Sequence, residues 1–177
     1  MNILALDLGT TTGWALGTRD GTIRGGSESF SPKACGGYGQ RWLAFRQWLS
    51  DTRRSVDEIH AVYYEDVKHH SSLDASHAYG GFLAHVEAWC AANRILCRPV
   101  NVGTIKRHWT GMGNAKKDAM IATARAKGFN PVDDNHADAL AILAYAISSE
   151  AGTLVMPEKP KAKKRKAAGP DLFQEAA

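Results

Sequence analysis

The order of β-rich and helical runs most constrains what this chain can fold into. Residues 2–8 (NILALDL) are almost wholly apolar and read as a buried strand. The run GTTTG at 9–13 supplies a turn before a second β-rich stretch at 14–17. A third stretch, 21–30, follows Asp20-Gly21, a pair that tolerates the positive φ of a hairpin turn. Three such runs joined only by turns predict an antiparallel meander. Thereafter helical and extended patterns alternate: a helix over 39–54 with Trp42, Leu43, Phe45, Trp48 and Leu49 at helical spacing, a strand over 59–67, and a helix over 73–93. A strand over 95–102, a short helical turn over 104–109, and helices over 115–127 and from Asp133 or Asp134 to 150 complete the series. A meander followed by alternating elements predicts an α/β domain built on a mixed five-stranded sheet flanked by helices.

A chain of 177 residues with 44% hydrophobic content can bury one substantial core, so one domain is expected over 1–156. Beyond it, KPKAKKRKAAGP has almost no large apolar side chain, and 157–177 is read as a basic, disordered tail. The net charge of +4 is concentrated there. Six of the 22 basic residues and three of the 18 acidic ones fall in 157–177, which leaves 16 and 15 in the domain. Bulk charge is therefore a weak argument for nucleic acid, and the positions of individual charges must carry it. The tail itself reads as a salt-sensitive DNA tether. Cys35, Cys90 and Cys97 form no CxxC pair and leave an odd count, which suits free thiols in a reducing compartment. The apolar opening is too short and lacks the flanks of a signal peptide, and no run approaches a membrane span, so a soluble cytoplasmic protein is expected.

Four carboxylates stand where structure alone does not ask for them. Asp7 interrupts the most apolar strand, between Leu6 and Leu8, where an unpaired charge would be costly. Glu65 and Asp66 end the strand over 59–67 and point to opposite faces, so one of them can join Asp7. Asp134 and Asp138 are four apart, one turn along a helix face, and like charges at that spacing repel unless a cation lies between them and other ligands. An Asp at a helix start can also be an N-cap, which is the competing account of Asp134. Asn135, three before Asp138, and His136 are the other candidates for a fourth ligand. Oxygen-only donors favour Mg²⁺ or Mn²⁺ over zinc. Two such ions per site, about 3.5 to 4 Å apart, suit phosphodiester hydrolysis.

The segments ALDLGTTTGWAL, YYEDV, SSLDASHAYGGFLAHVEAWC, GTIKRHWTGMGNAKKDAM and DDNHADALAIL, in that order over about residues 1–150, resemble the RuvC family of Holliday-junction resolvases, particularly its phage-type members. The resemblance implies a ribonuclease H-like fold and a two-metal endonuclease in which Asp7, Glu65 rather than Asp66, Asp134 and Asp138 hold the ions. It implies branched DNA, four-way junctions above all, as the partner, and a homodimer, because two symmetric nicks need two sites. Lys106 and Lys117 match positions that contact phosphate near the cut, with Lys117 part of the catalytic set. Lys116, Arg107, Lys68 and His69 are the further DNA-binding candidates, His69 or His70 standing where many members place an aromatic wedge. In the bacterial enzymes the last helix spaces its ligands by three, whereas three before Asp138 is Asn135. Gly80-Gly81, inside the helix over 73–93, is the candidate dimer contact, close packing within the chain being the alternative.

Three other readings accompany this one. A broader nuclease for branched DNA or RNA–DNA hybrids would use the same carboxylates. An actin-like ATP-binding protein shares the opening DLGTTTG but needs a second domain and a second phosphate loop. A non-catalytic DNA-binding module would gain nothing from clustered negative charge.

Overall fold

A computed structural model describes residues 1–68 and 72–154. The expected segment at His69 and His70 and the expected tether over 157–177 lie outside the described residues. The meander is present as β1 (Ile3–Asp7), β2 (Thr11–Gly17) and β3 (Ile23–Ser29), antiparallel in sequence. The chain then forms α1 (Pro32–Cys35), α2 (Gln40–Arg54), β4 (Ala61–Asp66), α3 (Leu73–Asn93) and β5 (Leu96–Asn101). It ends in α4 (Val102–Thr110), α5 (Lys117–Ala126) and α6 (Asp134–Glu150). The sheet order is β3-β2-β1-β4-β5, with β4 parallel to both β1 and β5. Pro99 sits in the edge strand β5, where a missing N–H is tolerated.

The side-chain period of two divides the strands between two cores. Leu4, Leu6 and Leu8 of the first strand region, with Val62 and Tyr64 of β4, face α2 and α3 and pack with Phe45, Leu49, Phe82 and Val86. Ile3 and Ala5, with Ala61 and Tyr63, face α6 and its neighbours α4 and α5. Because Asp7 continues the parity of Ile3 and Ala5, and Glu65 that of Ala61 and Tyr63, both carboxylates are delivered to the α6 side.

Two details differ from expectation, and one of the two glycines of α3 gains an account. The turn after β1 is shorter than GTTTG: β2 begins at Thr11, and Gly13 pairs directly with Asp7. Thr12 Oγ1 donates to the Gly9 carbonyl at 2.8 Å and Thr10 Oγ1 accepts from Arg41, so neither hydroxyl is spent on Asp7. A short helix, α1, capped by Ser31, was not foreseen in the Pro-Lys-Ala-Cys run. Gly81 is explained within the chain, since a Cβ there would come within 2.4 Å of the Trp42 ring of α2, whereas Gly80 faces open space. Among the described residues, no helix is long and apolar enough to cross a membrane, and the three thiols are free.

Candidate active site

Asp7 lies at the C-terminal end of β1, and Glu65 one residue beyond the paired Leu6 and Tyr64 on β4. They are side-by-side neighbours on adjacent parallel strands, and their carboxyl groups share a hydrogen bond. The opposite parity sends Asp66 to the other side, where it pairs with Lys68 at 2.6 Å. Register therefore chooses Glu65 over Asp66. Tyr79 of α3 secures the strand exit: its hydroxyl donates to the Glu65 carbonyl at 2.8 Å and accepts from the Val67 N–H.

The last helix supplies the rest. Its N-cap is Asp133, whose Oδ1 accepts from the His136 N–H at 2.8 Å and from the Ser27 hydroxyl at 2.6 Å. Capping by Asp133 frees Asp134, the first residue of the helix, for another role. Asp138 follows one turn later, half-buried, with Oδ1 buried and lacking any hydrogen-bond partner.

Two strand glycines let this turn of helix settle on the sheet. A Cβ on Gly13 would meet the Asn135 carbonyl oxygen at 2.0 Å. A Cβ on Gly25 would meet His136 Nε2 at 2.5 Å. Since Gly13 is the cross-strand partner of Asp7, the contact fixes α6 above the strand end that carries the first carboxylate. His136 is consumed by this packing: it is 8% exposed, Nδ1 accepts from the Val132 N–H at 3.2 Å, and the ring lies against β3. Of the alternatives for a fourth ligand, it is the one the packing engages most fully.

The electrostatics are those of crowded negative charge. Burial, and then the charges of Glu65 and Asp138, hold the Asp7 carboxyl well above the usual carboxylate range. Burial likewise raises Glu65, with the Lys106 ammonium opposing. Asp138 is pushed up to about 6 by burial and then by the charge of Glu65, with Lys106 again pulling the other way. Asp134 behaves oppositely, its carboxyl lowered by the hydrogen bond from Lys117, whose side chain is otherwise exposed.

Among the described residues, no three or more His, Cys, Asp or Glu side chains are gathered closely enough to hold a metal ion. The chemistry of the donor set nonetheless suits a hard cation: the donors are carboxylate oxygens, one buried oxygen lacks a partner, and neighbouring carboxylates raise the proton affinity of Asp7 and Asp138.

The expected DNA contacts separate into groups. Lys106, on α4, faces the carboxylates, and Lys117 reaches Asp134. Lys116 is exposed beside Lys117 at the start of α5. Arg107 is folded onto the loop after α4, its Nη2 3.1 Å from where a Gly113 Cβ would stand and its Nε buried without a partner. Lys68 is tied to Asp66. Sequence reasoning did not single out Asp133, Gly13, Gly25 or Tyr79 as parts of the site. The Asp133-Asp134 doublet was a legible signal that one of the pair caps while the other is free.

Neither a family profile nor a curated protein sequence matches the chain. Solved structures do. The RuvC of T. thermophilus in complex with a Holliday junction substrate superposes with a TM-score of 0.72 at 21% identity, over 86% of this chain and 97% of that one. A further structure of Thermus thermophilus RuvC gives 0.69 at 21%, over 86% and 98%. Ydc2, the yeast mitochondrial Holliday junction resolvase, gives 0.53 at 12%, over 79% and 75%. The five-stranded mixed sheet with helices on both faces is the ribonuclease H-like fold of the RuvC resolvases.

Proposed function

We propose that this chain is a structure-selective endodeoxyribonuclease that resolves Holliday junctions by metal-dependent phosphodiester hydrolysis, acting as a homodimer that makes paired nicks. The observation that carries the reading is the convergence of Asp7, Glu65 and Asp138 where the C-terminal ends of β1 and β4 meet α6, with a buried Asp138 oxygen left without a partner. An uncompensated buried carboxylate cluster is costly for a fold and explicable in a cation site. The fold shared with a RuvC solved on a Holliday junction supports the substrate class.

Asp7, Glu65 and Asp138 would hold Mg²⁺ or Mn²⁺, with Asp134 the fourth ligand, because its charge is felt at both Asp7 and Asp138. When bound, a pair of such ions supplies an activated water on one side of the phosphate and stabilises the leaving oxygen on the other. The protein's own part is positioning. Gly13 seats α6 so that its carboxylates meet those of β1 and β4. Lys106, beside Glu65 and Asp138, offsets negative charge where the phosphate would enter. Lys117, at the exposed rim, can exchange Asp134 for a phosphate oxygen. Lys116 extends that rim along the DNA backbone.

Presenting four-way junctions, Y-forks, flaps, RNA–DNA hybrids and plain duplexes with Mg²⁺ or Mn²⁺ tests the reading. The expected result is symmetric nicking of the four-way junction and little cutting of plain duplex. Equal cleavage of duplex would contradict structure selectivity, and preferential cleavage of forks or hybrids would favour a broader branch or hybrid nuclease.

A further inference from the structure

Past the C-terminal end of β1 from the carboxylates, on the face covered by α2 and α3, lies a cleft of about 540 Å³ lined by Thr10, Pro32, Tyr38, Arg41, Trp42 and His77 among others. At its base is Arg41, in the first turn of α2 and only 6% exposed. Its guanidinium lies 4.7 Å from the Trp42 ring centroid and 4.9 Å from that of Phe82. Nη2 donates to Thr10 Oγ1 at 3.0 Å, while Nε is buried with no partner. Among the described residues, no carboxylate is within ion-pair distance of it. The guanidinium carries a fixed charge, so this is a buried cation whose Nε lacks a partner and which none of the described carboxylates neutralises, an arrangement that an anion in the cleft would complete. Tyr38, on the segment between α1 and α2, extends its ring into solvent at the cleft, 80% exposed. The one acid on the wall, Asp74, is exposed on the first turn of α3 and therefore well screened.

We propose that this cleft is a second phosphate subsite, taking a backbone phosphate of the DNA near the scissile one on the Arg41 guanidinium while the adjoining base stacks on Tyr38. The inference rests on the nuclease reading. Thr10 is three residues from Asp7, so their Cα atoms lie within about 11 Å, and a strand engaged at the carboxylates would reach the cleft by crossing the end of β1. A planar guanidinium fork matches phosphate oxygens, and an exposed aromatic ring accepts any base face, which suits an unpaired or splayed nucleotide at a branch.

The test is the salt dependence of junction binding in the Asp7→Asn background, where DNA is not cut. Arg41→Gln is expected to lower affinity about ten-fold and to reduce the slope of log K against log salt by about one contact. Tyr38→Ala should lower affinity at least about five-fold with the slope unchanged. A folded Arg41→Gln protein with unaltered affinity and slope would overturn the subsite and leave Arg41 a buttress of the Thr10 turn. Should that variant fail to fold, Tyr38→Ala decides, because its ring is exposed, and unchanged affinity would refute the proposal. If the Asp7→Asn parent binds no branched DNA, the nuclease reading and the subsite fall together, an outcome distinct from failure of the subsite alone.

Discussion

The two faces of the sheet are built from the same strands by opposite means. Towards α2 and α3, β1 and β4 present Leu4, Leu6, Val62 and Tyr64, met by a packed aromatic group in which Phe45 and Phe82 lie 4.9 Å apart and nearly edge-on. Towards α6 they present Ile3, Ala5, Ala61 and Tyr63, met by a helix rich in alanine (Ala137, Ala139, Ala141 and Ala146), with Gly13 and Gly25 on the neighbouring strands. Large side chains hold helices away from a sheet, and small ones let a helix backbone come close. The difference teaches where chemistry can be placed: short carboxylates on a strand and a helix can share an ion only across the thin face.

That contrast can be broken first at Gly13. Gly13→Ala puts a methyl against the Asn135 backbone, which cannot swing aside as a side chain would. The expected cost is about 3 kcal/mol or more, read by denaturant unfolding, with cleavage lost even where the protein still folds.

A second test separates charge from packing. A carboxyl whose pKa is raised on folding binds its proton more tightly in the native state. The metal-free protein should therefore lose stability as pH rises from the unfolded value of 3.8 through the folded value of about 6. Asp138→Asn should lessen that loss without abolishing it, since Asp7 and Glu65 are raised as well, and should increase stability at pH 8 by about 1–3 kcal/mol, or several degrees in Tm with a chelator present. Cleavage by the unaltered protein should rise with pH across the same interval, because a carboxylic acid must ionise to bind a cation. A flat Tm profile would show that Asp138 is not held in a crowded site.

The smallest effect is on the thick face. Gly80→Ala points its methyl into open space on α3 and should stabilise by at most about 1 kcal/mol, with cleavage unchanged if Gly80 plays no part in a dimer contact. Reduced cleavage together with a weakened dimer in light scattering would return the helix to that role.

Much of this was legible beforehand because the signals are local. Hairpin turns and period-two runs marked the meander, and helical spacing marked α2, α3 and α6 closely. Alternation through ILALD and AVYYED showed that only one of Glu65 and Asp66 can share a side with Asp7, and the choice of Glu65 came from the family resemblance until the register of β1 on β4 supplied it. What local patterns do not contain is close approach. Gly13 looked like part of a turn because its reason, the Asn135 backbone, is 122 positions away in the chain. His136 resembled a ligand because its neighbours are acidic, yet its ring is spent on Val132 and β3. Arg41 was one more base on a helix until Trp42, Phe82 and Thr10 closed around it.

The most direct measurement is cleavage and binding of a four-way junction by Asp7→Asn in Mg²⁺. Loss of a ligand to ions that contribute several kcal/mol to the transition state should reduce cleavage by about three orders of magnitude or more, with junction affinity retained. An Asp7→Asn protein that still cuts at a comparable rate would contradict the assignment of this carboxylate cluster as the active site.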